Sequence, residues 1–188
     1  MKKLLLATLI ALAGAASLDG CVVARASGQA VVTDAAPDNH LRIVVMQALP
    51  SADGQRNLAR ITADKHMATL FPQLATRLPQ DFKLNGVEAS GELVDTGSPV
   101  PAPTGARTLL ISPTQAGYIE RGGASWLDLA VTLVDPKRGV LWRGSIHLST
   151  GSPASYDASA VDHAAVPLME QLRDAKLIDI SWRRPTTL

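Results

Sequence analysis

Cysteine is nearly absent from this chain of 188 residues; the one present is Cys21. A single thiol cannot close an internal disulfide, so the fold must rest on its apolar core. Aromatic residues are scarce at 4%, yet hydrophobic residues make up 46%, so the core is mainly aliphatic and large enough for one domain of ordinary size. An excess of one charge is also missing: 18 Lys and Arg stand against 17 Asp and Glu, with no basic run. A surface that tracks phosphates needs clustered cations, which argues against nucleic acid as a partner. No period of about twenty to fifty residues repeats, which removes solenoids and propellers. Neither nucleotide-binding glycine motif nor a Gly-x-Ser-x-Gly elbow occurs. His40, His66, His147 and His163 are isolated, with no pair at the spacing that lets two imidazoles share an ion. No metal and no cofactor is expected.

What is present begins at the amino terminus. Lys2 and Lys3 precede an apolar run from Leu4 to about Ala16, the pattern of a secretory signal and too short for a mature bilayer-spanning helix. Leu18-Asp19-Gly20-Cys21 follows. It resembles the lipobox of bacterial lipoproteins, in which the cysteine sulfur takes a diacylglyceryl group and the signal, here residues 1–20, is removed. Asp19 stands where that box carries a small or apolar residue, and a plain signal-peptidase cut after Ala13-Gly14-Ala15 is the alternative. Removing residues 1–20 takes away Lys2, Lys3 and Asp19 and leaves basic and acidic residues in equal number. Val22 follows the cysteine; lipoproteins kept at the inner membrane often have Asp there, so the outer membrane, facing the periplasm, is the expected destination. Residues 21–40 are small and polar and read as a flexible tether with a reach of roughly 25 Å.

A single domain is expected over residues 41–182. Leu41-Arg42-Ile43-Val44-Val45-Met46 reads as a strand ending before the cluster Pro50-Ser51-Ala52-Asp53-Gly54. Leu58, Ile61, Met67, Leu70, Phe71, Leu74 and Leu78 recur at helical steps, predicting a helix over 55–78 kinked or broken at Pro72. A strand is expected within 85–95, then a Pro/Gly loop over 97–105, then a strand over 107–120 with a bulge or edge position at Pro113. Residues 126–134 alternate Leu127, Leu129, Val131 and Leu133 with Asp128, Ala130 and Thr132. The turn Asp135-Pro136-Lys137-Arg138-Gly139 joins them to a strand over 140–149. Ser159 and Asp162 read as a capping box for a helix to about Lys176, with a bend or late start at Pro167. Residues 177–182 allow a short final strand, and 183–188 read as a disordered tail. The fold class is therefore α+β: a mainly antiparallel sheet of about five strands with two helices on one face, in the order β-α-β-β-β-β-α.

Two readings of the hairpin's outer side compete. Asp128, Ser145 and His147 formally supply orienter, nucleophile and base, although strand alternation alone places polar residues there. Ala130, Val134 and Leu141 put apolar surface on the side away from the helices, which marks them as interface residues for a partner or a second copy. Trp126 and Trp142, on neighbouring strands, read as core or sheet-face packing rather than a sugar platform.

The passage Leu127-Asp128-Leu129-Ala130-Val131-Thr132-Leu133-Val134-Asp135, a turn ending at Gly139, then Val140-Leu141-Trp142-Arg143-Gly144 is similar to one in small Gram-negative envelope lipoproteins. These include transport-auxiliary lipoproteins, lipoprotein activators of penicillin-binding proteins, and curli-secretion and TolB-type amino-terminal domains. The resemblance implies a compact α+β domain that binds other envelope proteins, with no catalytic residues to carry over. The expected function is a non-enzymatic, lipid-anchored protein that binds or assists an envelope complex in transport or cell-wall assembly. A periplasmic hydrolase or glycan-modifying enzyme, or a soluble periplasmic ligand binder, are the alternatives.

Overall fold

The computed structural model describes residues 22–47, 65–95, 98–99, 101–103, 105–118, 125–151 and 156–180. The signal segment, Cys21, the Pro50–Gly54 cluster, the start of the first expected helix, the 119–124 turn and residues 181–188 lie outside them. The elements are β1 (Val22–Ala30), β2 (His40–Met46), α1 (Lys65–Leu84), β3 (Glu88–Val94), β4 (Arg107–Tyr118), β5 (Ser125–Asp135), β6 (Gly139–Thr150) and α2 (Ala158–Asp174). They form an α+β fold with one six-stranded sheet ordered β1-β6-β5-β4-β2-β3.

The hairpin of β5 and β6 forms as its alternation requires. Leu127, Leu129 and Leu133 are fully buried and Val131 nearly so, while the residues between them are half-buried. In the turn, the Asp135 carboxylate accepts from the amides of Lys137 (2.8 Å) and Arg138 (3.0 Å), and Gly139 takes the left-handed φ of 76° that favours glycine. β4 adds antiparallel to β5 with a register shift between Pro113 and Gln115. Pro113 sits past Ile111, the last β4 residue paired to β2, and pairs with Leu129 of β5 just before that shift, so the bulge falls where it was expected.

The sheet is mixed rather than mainly antiparallel, with six strands rather than five. β2 runs parallel to both β3 and β4, because α1 returns the chain to the same end of the sheet before β3 begins and the connection after Val94 returns it again before β4. Ile43, Val44 and Val45 are all fully buried, the two-sided burial that parallel strands show. On the outer side Val44, Met46 and Val94 form a small cluster with Leu110.

The sixth strand corrects the tether. Val22–Ala30 pairs antiparallel with β6 over its whole length. Its inward residues are small for a steric reason: a Cβ on Gly28 would lie 2.0 Å from the Trp142 ring, and one on Gly144 would lie 2.3 Å from it. The indole lies across both glycines. Small size made β1 look like a linker, although Val22, Ala24, Ala26 and Ala30 alternate inward. Residues 31–39 are fastened too: the Val31 amide donates to Leu141 O (2.8 Å), the Asp38 amide to Leu177 O (3.0 Å), and Asn39 exchanges bonds with the Asp179 backbone at 2.6 and 2.8 Å. With Asn39 supplying these partners, residues 177–180 form no strand.

Both helices lie on the inner face, α1 against β2 and β3 and α2 chiefly against β1. α1 continues through Pro72 and Pro79, and α2 through Pro167, so neither a break at Pro72 nor a late start at Pro167 occurs. Pro79 cannot donate to the Ala75 carbonyl one turn earlier. That carbonyl lies against Gly91, where a Cβ would come within 1.8 Å of it. The α2 cap is Asp157, whose carboxylate accepts from the Ser159 amide at 2.8 Å and hydroxyl at 2.7 Å. Asp162, expected to complete a capping box, instead pairs with Arg77 of α1 at 2.9 Å.

One buried cation joins the remote segments. Arg107, 6% exposed, donates through Nε to Asp135 (3.2 Å), through Nη1 to Leu177 O (3.1 Å) and through Nη2 to Ala36 O (2.8 Å).

Two stability tests follow from this packing. Leu129→Asp buries a charge without a partner, at a cost of about 2 kcal/mol or more, whereas Thr132→Asp points to the half-open face and should be mild; equal melting temperatures would contradict the assigned faces. Arg107→Ala leaves Asp135 without its buried partner and should lower unfolding free energy by about 3–5 kcal/mol. Exposed Arg143→Ala, the control, should change it by about 0.5 kcal/mol or less in the same denaturation experiment.

Candidate functional site: the outer sheet face

Away from the helices, the sheet presents two different surfaces. Where β2 and β4 adjoin it is closed, with Val44, Thr108 and Ser112 buried. Over β5, β6 and β1 it is open, and pairing sets its side chains in rows. Arg25, His147 and Asp128 form one row; Ser27, Ser145 and Ala130 the next; Gln29, Arg143 and Thr132 a third.

In the first row His147 Nδ1 lies 2.6 Å from Asp128 Oδ1, and the imidazole stacks on Trp126 with centroids 6.3 Å apart and planes 23° apart. Trp126 lies in turn over Gly117, where a Cβ would come within 2.8 Å of the indole. The carboxylate and the indole thus fix the ring's orientation. In the second row the Ser145 hydroxyl meets that of Ser27 at 3.3 Å. Asp128, Ser145 and His147 therefore share one neighbourhood, as alternation predicts, but the structure joins only His147 to Asp128. Ser145 is engaged by Ser27 across the other strand. Arg25 and Arg143 are exposed, and neither has an ion-pair partner among the described residues. A shallow, open depression of about 520 Å³ lies over Ser27, Gly28, Gln29, Arg143, Gly144 and Ser145.

The three expected interface residues separate. Ala130 and Val134 are half-buried on the outer face. Leu141 is fully buried in the main core. The physical reason is a bulge: Leu133 pairs with Trp142 and Val134 with Val140, which leaves Leu141 as the extra residue and moves Val140 outward in its place. Trp142 is buried and Trp126 half-buried, so the two tryptophans pack against opposite faces of the sheet. Cys21 lies outside the described residues.

His40 Nδ1 contacts Asp38 at 3.1 Å, and His163 Nδ1 contacts the Ser159 carbonyl at 2.7 Å. His66 lies in α1, and its side chain is outside the described residues. Among the described residues no three His, Cys, Asp or Glu side chains converge to hold a metal, and no helix is long and apolar enough to cross a membrane.

Comparison with known proteins reveals a likeness of fold at low identity. No family model matches the chain, and no curated protein matches it. Two solved structures of the PelC dodecamer from Paraburkholderia phytofirmans are similar to it. One aligns over 82% of this chain and 99% of its own at 13% identity with a TM-score of 0.42; the other over 84% and 100% at 12% identity with a TM-score of 0.43.

A second titratable cluster lies between the helices. One Asp81 carboxylate oxygen is buried without a hydrogen-bond partner among the described residues. Burial, with the Asp162 carboxylate nearby, raises its pKa from 3.8 to about 6 against the opposing pull of Arg77. Asp135 moves the other way, held below the usual carboxylate range by the Lys137 amide, the Arg138 amide and Arg107. Asp157 is lowered as well, chiefly by the Ser159 hydroxyl. Periodicity carried no signal for Arg107, whose partners come from distant segments, and for Asp81 it placed only Arg77, one turn earlier on α1, within reach and not Asp162.

Asp81 generates a pH prediction. Its folded-state pKa is raised, so between about 4 and 6 the folded chain holds a proton that the unfolded chain has released. The group favours folding on the acid side of that window, and the benefit is lost as pH rises through about 6. Asp81→Asn should therefore stabilise the protein at pH 8 by roughly 1 kcal/mol once solvent screening is allowed for, and little at pH 4. Urea midpoints at the two pH values check it; an equal change at both would assign the effect to packing.

Proposed function

We propose that this protein is a non-enzymatic, lipid-anchored component of the cell envelope that binds or assists an envelope protein complex through the open outer face of β5, β6 and β1. The observation that carries this reading is the shape and chemistry of that face. Half-buried Ala130 and Val134 stand beside two guanidinium groups that have no ion-pair partner among the described residues and beside fixed hydrogen-bonding groups, spread across three strands in an open surface. A broad surface with an apolar patch and a polar surround suits a macromolecule. The lipobox at Leu18 to Cys21 and the likeness of the hairpin passage to envelope lipoproteins support the location.

The enzyme reading keeps one specific observation in its favour, the Asp128–His147 pair, in which a carboxylate orients an imidazole as it would a general base. Ser145 gives it little help as a nucleophile, because its hydroxyl is turned to Ser27. The two readings make opposite demands on variants.

Ala130→Lys with Val134→Lys should leave the fold intact and lower recovery of crosslinked envelope partners at least tenfold, while His147→Ala should leave it within about twofold. Loss of the cellular phenotype with His147→Ala alone, and full retention with the double lysine variant, would replace binding with catalysis on the same face. Cys21→Ala should shift the protein from the membrane pellet to the soluble fraction; unchanged pelleting would remove the lipid anchor.

A further inference from the structure

The expected leash between lipid and domain is absent, which has a consequence for how the domain stands. Val22, directly after Cys21, is the first residue of β1; it is 7% exposed, belongs to the main core and pairs with Thr150. Consecutive Cα atoms are about 3.8 Å apart, so an acyl group on Cys21 is held within one peptide unit of the sheet. We propose that the end of the sheet formed by the start of β1, the end of β6, the start of β5 and the end of β4 rests on the lipid surface, with the strands rising from it. This inference rests on acylation of Cys21 as read above.

The register brings those four termini together. Val22 pairs with Thr150, Thr150 with Ser125, and Ser125 with Tyr118. The last three residues of each strand at this end are Val22-Val23-Ala24, Leu148-Ser149-Thr150, Ser125-Trp126-Leu127 and Ala116-Gly117-Tyr118, none of them charged. The connections 119–124 and 152–155 lie outside the described residues. Asp157, at the start of α2 on this side, spends its carboxylate on the Ser159 amide and hydroxyl.

At the opposite end charge is dense. Arg107 and Asp135 pair there, Arg138 pairs with Asp34, and Asp38 lies 3.9 Å from Arg107. Lys137, Arg173, Lys176 and Asp179 lie in the adjoining turns and helix end. Charge does not choose between the ends, because the 119–124 connection carries Glu120 and Arg121; the short link from Cys21 to Val22 does. Standing this way, the open face of β5, β6 and β1 looks sideways along the membrane, where a partner held at the same surface would meet it.

The test uses the full chain, processed in a Gram-negative host and reconstituted in phosphatidylethanolamine and phosphatidylglycerol vesicles. With the Cys21 thiol acylated, a cysteine introduced at Gly151 or at Lys137 is the sole labelling site. Both positions are exposed, and they bracket the 12 residues of β6, roughly 40 Å apart at strand spacing. Spin-labelled lipid should quench a fluorophore on Gly151→Cys at least threefold more than one on Lys137→Cys. Twelve Gly/Ser residues inserted between Cys21 and Val22 should erase that difference while the protein still floats with the vesicles. Equal quenching at the two positions in floating protein overturns the proposed stance, and a difference that survives the linker overturns the role of the short connection. Protein that fails to float shows that Cys21 carries no lipid, which removes the anchoring reading and this inference with it.

Discussion

The Arg107 guanidinium ties two segments that lie outside the sheet, at Ala36 and Leu177, to the end of the β4–β5 ladder. Its three donating groups reach Asp135 in the β5–β6 turn, Ala36 before β2 and Leu177 after α2. A buried cation is costly to desolvate, and that cost is offset only when its donors are satisfied together. The residue therefore acts as a condition on the fold: the amino-terminal segment, the hairpin turn and the carboxy-terminal segment must all be in place at once. Asp135 meets this demand from the other side, because one oxygen accepts from the turn amides and the other from Arg107. Turn geometry and long-range closure are thus coupled through a single carboxylate.

A second constraint works through absence of side-chain volume. Trp142 is one of the largest fully buried side chains, and the space for its ring exists because Gly28 and Gly144 lack a Cβ. β1 consequently joins the sheet with small inward residues, and α2 presents Ala160, Ala164 and Ala165 among its buried positions. Packing at this edge combines one large ring with many small neighbours, which keeps the interior filled. At the other edge Gly91 does the same for α1, admitting the carbonyl that Pro79 leaves without its helical donor.

These constraints explain what was legible in the sequence. The hairpin was readable because alternation over residues 126–134 and the chemistry of the turn ending at Gly139 agree, and α+β class followed from two helical stripes beside several strands. β1 was not, since Ala and Gly carry weak hydrophobic signal and their packing against Trp142 depends on residues more than a hundred positions away. The parallel pairs were hidden for a different reason. Ile43-Val44-Val45 announced two-sided burial, but strand direction follows from the crossover and not from composition. At the candidate site, alternation brought Asp128, Ser145 and His147 to one face, whereas the one-residue bulge at Leu141 inverted the assignment of Val140 and Leu141 to the two faces. A single extra residue in a period-two element is enough to do that.

The same bulge shapes the outer face on which the proposed binding rests. By turning Leu141 inward it removes a large aliphatic group from the outer face and leaves Val134 paired with Val140 at one end of that face, with Ala130 beside Ser145 nearer its centre. What faces outward between them is polar and in part pre-set: His147 is oriented by Asp128 and Trp126, and Ser145 by Ser27. Groups already held by neighbours lose little conformational freedom on contact, whereas Arg25 and Arg143 must be ordered by whatever they meet. Such a face is suited to recognition by a mixture of fixed hydrogen-bonding groups and adaptable cations. Because β1 forms one side of it and begins one residue after Cys21, the proposed anchor and the proposed binding surface share one sheet.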